Sequence, residues 1–125
     1  PSNIHAGGLR YHGAGMIVSQ LIKDKMMHGV DIPQLESFES GMLFARTEGI
    51  IPAPESCHAI AATIREAKKC KETGEQKVIL FCLSGHGLID MPSYEQFISG
   101  DLQNYTVSDE EIERNVSELE PIIKE

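Results

Sequence analysis

The chain has 125 residues, of which 41% are hydrophobic and 24% charged, the length and make-up of one ordinary globular domain. Its formal net charge of -8 argues against nucleic acid or an anionic membrane surface as partner, since both call for a basic patch. No apolar run approaches the ~20 residues that cross a bilayer, and Cys57, Cys70 and Cys82 have no C-x-x-C spacing, so neither a zinc site nor a disulfide framework is expected in what reads as a reducing, cytosolic setting.

Residues 1–15 open on Pro1 and hold four glycines with no helical or strand-like period, yet carry His5, Arg10, Tyr11 and His12. Such an opening is expected of a floppy tail or of a piece of a longer protein. From Gly15 to Met27 the apolar residues Ile17, Val18, Leu21, Ile22 and Met26 recur at helical spacing, and Gly29 can close that helix. Val30–Ile32 reads as a short strand, after which Pro33 suits the start of a second helix whose Leu35, Phe38, Met42 and Ala45 share a face. Gly49 ends it, and Ile50-Ile51 is an extended piece kept out of helix by Pro52. Pro54-Glu55-Ser56 opens a third helix with a small-residue apolar face that runs out between Cys70 and Gly74.

Lys77–Leu83 contains the unbroken apolar run Val78-Ile79-Leu80-Phe81 and leads into the glycine-rich loop Ser84-Gly85-His86-Gly87. Runs of this kind are strands of a parallel sheet covered on both faces, which would bury Cys82. The helix-then-strand order reads as the tail of a βαβ unit, so the expected fold class is α/β, a layered and mostly parallel sheet flanked by helices. Pro92 starts a short helix that Gly100 ends. Ser108 with Glu111 forms a capping box for a last, acidic helix expected to stop before Pro121.

Ligands in open α/β sheets bind beyond the carboxyl ends of the strands, which is where Ser84 falls. Its alternative is an ordinary serine in a strand-to-loop turn. Glu55, in the first turn of a helix, is either a dipole-stabilised carboxylate worth ~0.3–1 kcal/mol or a ligand neighbour. Ser56 reads as a cap. Arg10 between glycines is either a solvated charge or an anion clamp. Ser84 as a hydrolase nucleophile, with His12 or His58 as base, departs from the G-x-S-x-G elbow, because Cys82 occupies the first glycine position.

Four stretches together resemble the C-terminal part of a tryptophan synthase β-chain, closest to the second type: Ile4–Gly13, Leu43–Ser56, His58–Ile60 and Leu83–Gly87. The run Gly8-Leu9-Arg10-Tyr11-His12-Gly13 points to the second type, since the common β-chain carries an acidic residue where Arg10 stands. The resemblance implies a fragment of a fold type II enzyme dependent on pyridoxal 5'-phosphate. It divides the chain into an active-site loop at 1–15, an α/β body at 16–100 and an acidic C-terminal helix region at 101–125.

It further implies that Ser84 hydrogen-bonds the pyridine nitrogen of the cofactor, that Gly85 lets the loop pass close to the ring, that Glu55 lies near the cofactor and that Arg10 faces the substrate. Carbonyls of Leu9, Tyr11 and Gly13 would help hold a monovalent cation. The parent reaction would be β-replacement on L-serine by indole to give L-tryptophan, in a homodimer, with the need for an α-subunit left open. No lysine here matches the family's Schiff-base lysine, so the fragment alone is expected to be inactive. The alternatives are another fold type II enzyme such as a threonine synthase-like one, a non-catalytic α/β ligand-binding domain, and the serine hydrolase.

Overall fold

Prolines and glycines set the ends of the long helices. The computed structural model describes residues 4–11 and 13–123. Among these, α1 spans Met16–Lys23, α2 Gln34–Glu48, α3 Pro54–Thr73, α4 Met91–Ser99 and α5 Asp109–Ile123, with a short 3-10 turn at Gly7–Leu9. Pro33 caps α2, and Pro54 is the first residue of α3, where its missing N–H costs nothing. Gly49 and Gly74 end these helices in the left-handed region that glycine enters without strain.

The core lies where α2, α3 and α4 meet. Phe38, Cys57, Tyr94 and Leu102 form its buried centre, with Leu35, Met42, Ile51 and Phe97 packed around them. Phe38 meets the Tyr94 ring edge-on at 5.1 Å and stacks on Phe97 at 5.8 Å, and burying an aromatic side chain of this kind stabilises by about 1.5–3 kcal/mol. The Tyr94 hydroxyl is not wasted. It donates to the Pro52 carbonyl at 2.6 Å and lies 3.2 Å from the Cys57 thiol. Gly41 on α2 faces this pair, and only a residue without a Cβ lets α2 come so close to α3. Outside the core, Arg65 of α3 grips Glu36 of α2 through two nitrogens and also donates to the Asp31 carbonyl.

Several expectations are corrected. No strand is formed among the described residues; the chain is mostly helical, with one isolated antiparallel bridge between Pro52 and His86. Residues 77–83 are extended but unpaired and not buried: Val78 and Leu80 are almost fully exposed, at 101% and 95%, and Cys82 is exposed rather than in the core. Only the other face has cover, with Phe81 set edge-on against Phe44 of α2 at 5.9 Å. Lys77 fastens the start of this segment by ion pairs to Glu66 of α3 and to Glu75. A run of apolar residues records a demand for burial; here no strand among the described residues meets it.

Val30–Ile32 likewise pairs with no strand among the described residues, although Ile32 is buried. The first helix stops short of Met27. Lys25 takes a left-handed conformation (φ 58°), and Met26 and Lys25 donate back to Leu21 and Ile22, a Schellman ending with lysine in the glycine position. The last helix starts as the capping box requires, Glu111 N–H donating to Ser108 Oγ at 3.2 Å, but continues past Pro121 to Ile123. Neither α1 nor α5 packs on another described element, which leaves Ile17 of α1 and Ile112 and Val116 of α5 exposed.

Candidate functional site

The first turn of α3 brings Glu55 and Ser56 beside the loop that carries Ser84 and Gly85. Just before it, Ile51–Ala53 runs against Gly85–Gly87: Ala53 N–H donates to the Gly85 carbonyl at 3.0 Å, and Gly87 N–H to the Ile51 carbonyl at 2.8 Å. The approach is close enough that a Cβ at Gly87 would collide with the Pro52 carbonyl, and one at Gly85 would stand 3.1 Å from the Ala53 Cβ. The glycines of this loop thus serve its contact with a neighbouring piece of chain. The pairing delivers Ser84 to the start of α3. Its hydroxyl, on an exposed residue, lies 3.3 Å from the hydroxyl of Ser56, which is buried at 2% exposure.

Glu55, one residue earlier, accepts the Gly8 N–H at 2.8 Å, so the carboxylate ties the 3-10 turn of the N-terminal segment onto α3. The segment is fastened a second time at His5. Its backbone N–H donates to Gln34 Oε1 at 2.7 Å, while the Gln34 amide donates to the Gln103 carbonyl at 2.7 Å. The His5 ring reaches Ser93 Oγ at 3.1 Å, joining residues 88 apart in the sequence.

Between the N-terminal segment and the start of α4 lies a polar cleft of about 640 Å³ walled by His5, Arg10, Asp90 and Ser93. Burial holds the Asp90 carboxyl above the usual aspartate range; the charge of Glu55 pushes it further the same way and His86 opposes. Ser84 and Gly85 are not among the walls of this cleft. Leu9, Tyr11 and Gly13 lie on an exposed stretch.

Among the described residues the hydrolase arrangement does not form. The His58 ring nitrogen Nδ1 is 2.8 Å from the Pro54 carbonyl and 3.1 Å from Ser37 Oγ, which commits it to bracing α3 against α2 rather than to Ser84. His86 Nδ1 accepts the N–H of Leu88, two residues on. His12, the other candidate base, lies outside the described residues. The sequence reading missed Asp90 and Ser93. Asp90 carried one signal: it precedes Met91-Pro92 and takes the N-cap position of α4, a place where aspartate is favoured. Nothing local marks Ser93, whose partner comes from the other end of the chain.

No protein-family model matches the chain. Its sequence is 58% identical over 102 residues to the tryptophan synthase beta chain 2 of Aquifex aeolicus, covering 82% of this chain and 24% of that one. To the protein of the same name from Methanosarcina mazei it is 55% identical over 103 residues, 82% of this chain and 23% of that one. To that from Thermotoga maritima it is 56% identical over 94 residues, 75% and 22%. The chain spans about a quarter of the length of the curated relatives it matches. The resemblance carried by the four sequence stretches, to the second type of tryptophan synthase β-chain, is borne out by these relatives.

Proposed function

We propose that this chain is the C-terminal portion of a tryptophan synthase β-chain of the second type, and that the whole protein, a pyridoxal-phosphate-dependent lyase, makes L-tryptophan from L-serine and indole as a homodimer. The observation that carries the reading is the 58% identity to a protein of that name over most of this chain. What supports the role of its residues is the setting of Ser84: a neutral, exposed hydroxyl at the end of an extended segment, beside the first turn of α3.

A neutral hydroxyl fits the ring-nitrogen end of the cofactor. As a donor it holds that nitrogen unprotonated, whereas a carboxylate would hold it protonated. The cofactor when bound supplies the electron sink for β-replacement, tempered by its unprotonated ring nitrogen. Gly85 keeps the loop against Ala53 so that Ser84 stays at the helix start, and Glu55 holds the N-terminal segment that carries Arg10 toward the substrate side. Leu9, Tyr11 and Gly13 offer carbonyls to a monovalent cation. The Schiff-base lysine belongs to another part of the protein, so the 125-residue chain alone does not turn over. Residues 77–83 take their place in a layered, mostly parallel sheet supplied by that other part, which covers Val78 and Leu80.

The test is the rate of tryptophan formation by the full-length protein, with thermal melting in parallel, for Ser84→Asp and Ser84→Ala. The aspartate variant should lose most of the rate without loss of folding. The alanine variant should lose less, because one hydroxyl hydrogen bond is worth ~0.5–1.5 kcal/mol net. An unchanged rate in Ser84→Asp would remove Ser84 from the ring nitrogen.

A further inference from the structure

We propose that Ser56 is a positioning residue for Ser84: its buried hydroxyl donates to Ser84 Oγ, so that the Ser84 proton points away from the protein toward the ring nitrogen of the cofactor. The inference rests on the reading of Ser84 given above and adds the group that orients it.

Two hydroxyls 3.3 Å apart can bond in either direction, and burial decides which. Ser84 is exposed and can give its proton to water or to a ligand. Ser56 is buried at 2% exposure, so its proton must find an acceptor inside the protein or remain unpaired in an apolar setting. A serine within a helix ordinarily donates to the carbonyl four residues back. For Ser56 that is Pro52, which lies before the start of α3 and whose carbonyl takes the Tyr94 hydroxyl at 2.6 Å, and Ser56 makes no bond to it. Among the described residues the side chain of Ser56 has Ser84 as its one hydrogen-bond partner. Ser56 is therefore the donor and Ser84 the acceptor.

A hydroxyl has one proton to give. With its oxygen accepting from Ser56, Ser84 keeps that proton for the open side, and a hydroxyl that already accepts is a stronger donor. The backbone pairing of 51–53 with 85–87 and the helical register of α3 fix both Cα positions, so the relay is set before any ligand arrives.

The experiment uses Ser56→Ala, Ser56→Thr and Ser84→Ala. In the 125-residue chain, the exchange rate of the Ser56 hydroxyl proton is read by NMR. It should rise severalfold in Ser84→Ala; an unchanged rate means that Ser56 does not donate to Ser84 and overturns the proposal. In the full-length protein, the pH midpoint of the bound pyridoxal phosphate absorbance is read without substrate. Ser84→Ala should raise it, by up to about one pH unit, through loss of a donor to the unprotonated nitrogen. Ser56→Ala should raise it part of the way and Ser56→Thr, which keeps the hydroxyl, should restore it. If Ser84→Ala moves the midpoint and Ser56→Ala does not, Ser56 orients nothing and only this proposal fails. If neither moves it, Ser84 does not face the ring nitrogen and the functional reading fails with it. Should Ser56→Ala melt below the assay temperature, the proton-exchange result in the Ser84→Ala chain decides alone.

Discussion

Gly41 offers a sharp test of how α2 and α3 pack. A Cβ built there would stand 2.9 Å from the Tyr94 hydroxyl oxygen and in direct collision with the Cys57 sulfur. Neither neighbour yields easily: Cys57 and Tyr94 are both buried, and Tyr94 is pinned by its bond to the Pro52 carbonyl. Two effects oppose each other in Gly41→Ala. Alanine favours an interior helical position over glycine by about 1 kcal/mol. Overpacking a filled core costs typically ~1–3 kcal/mol, and two simultaneous collisions argue for the upper end. The balance is a net loss of roughly 1–2 kcal/mol, a fall of roughly 5 °C in melting temperature. Urea and thermal unfolding followed by circular dichroism would measure it. Cys57→Ala removes the colliding sulfur, so the double variant should be more stable than the sum of the single losses, with a coupling of at least ~0.5 kcal/mol. A Gly41→Ala protein as stable as the wild type, or strict additivity with Cys57→Ala, would refute this packing of α2 on α3.

Cys57 is fully buried and its thiol is pushed up to about 11, chiefly by burial; a thiol reagent at neutral pH should modify exposed Cys82 in the native protein and reach Cys57 only on unfolding, and early labelling of Cys57 would count against the core as described. The Asp90 carboxyl is held above its ordinary value of 3.8, so the folded state binds its proton more tightly than the unfolded state does, and the stability it contributes is full below the ordinary value and lost as pH rises through the raised one. Asp90→Asn, which removes the charge at nearly the same side-chain size, should therefore gain stability relative to wild type as pH climbs through that window; a difference that is flat with pH would mean that Asp90 is not desolvated. Gln34→Ala leaves the His5 N–H and the Gln103 carbonyl without their partner, at a cost of ~1–3 kcal/mol, and should make the chain near His5 to Arg10 cleave faster under limited proteolysis than in wild type.

Local chemistry was enough to find the helices. Pro33, Pro54, Gly49, Gly74 and Gly100 act on their own backbone, so their effect on helix ends does not depend on distant neighbours. The apolar spacing of Phe38 and Met42 likewise named the face of α2 that meets the core. The four motif stretches, too, identified the relatives, because order and spacing along a chain are properties of the sequence itself. Burial of residues 77–83 was not legible, since alternating or continuous apolar residues state a need for neighbours without supplying them, and among the described residues none pairs with that backbone. The candidate site was legible only in part. Ser84 and Glu55 fall at a strand-like end and a helix start that sequence can locate. The contact of Ser84 with Ser56, of Glu55 with Gly8, and of His5 with Ser93 joins residues 28, 47 and 88 apart. The first two are made by the packing of α3 against the loops on either side of it and the third by the N-terminal segment meeting α4, and which hydroxyl is buried, and so which must donate, exists only once that packing has formed.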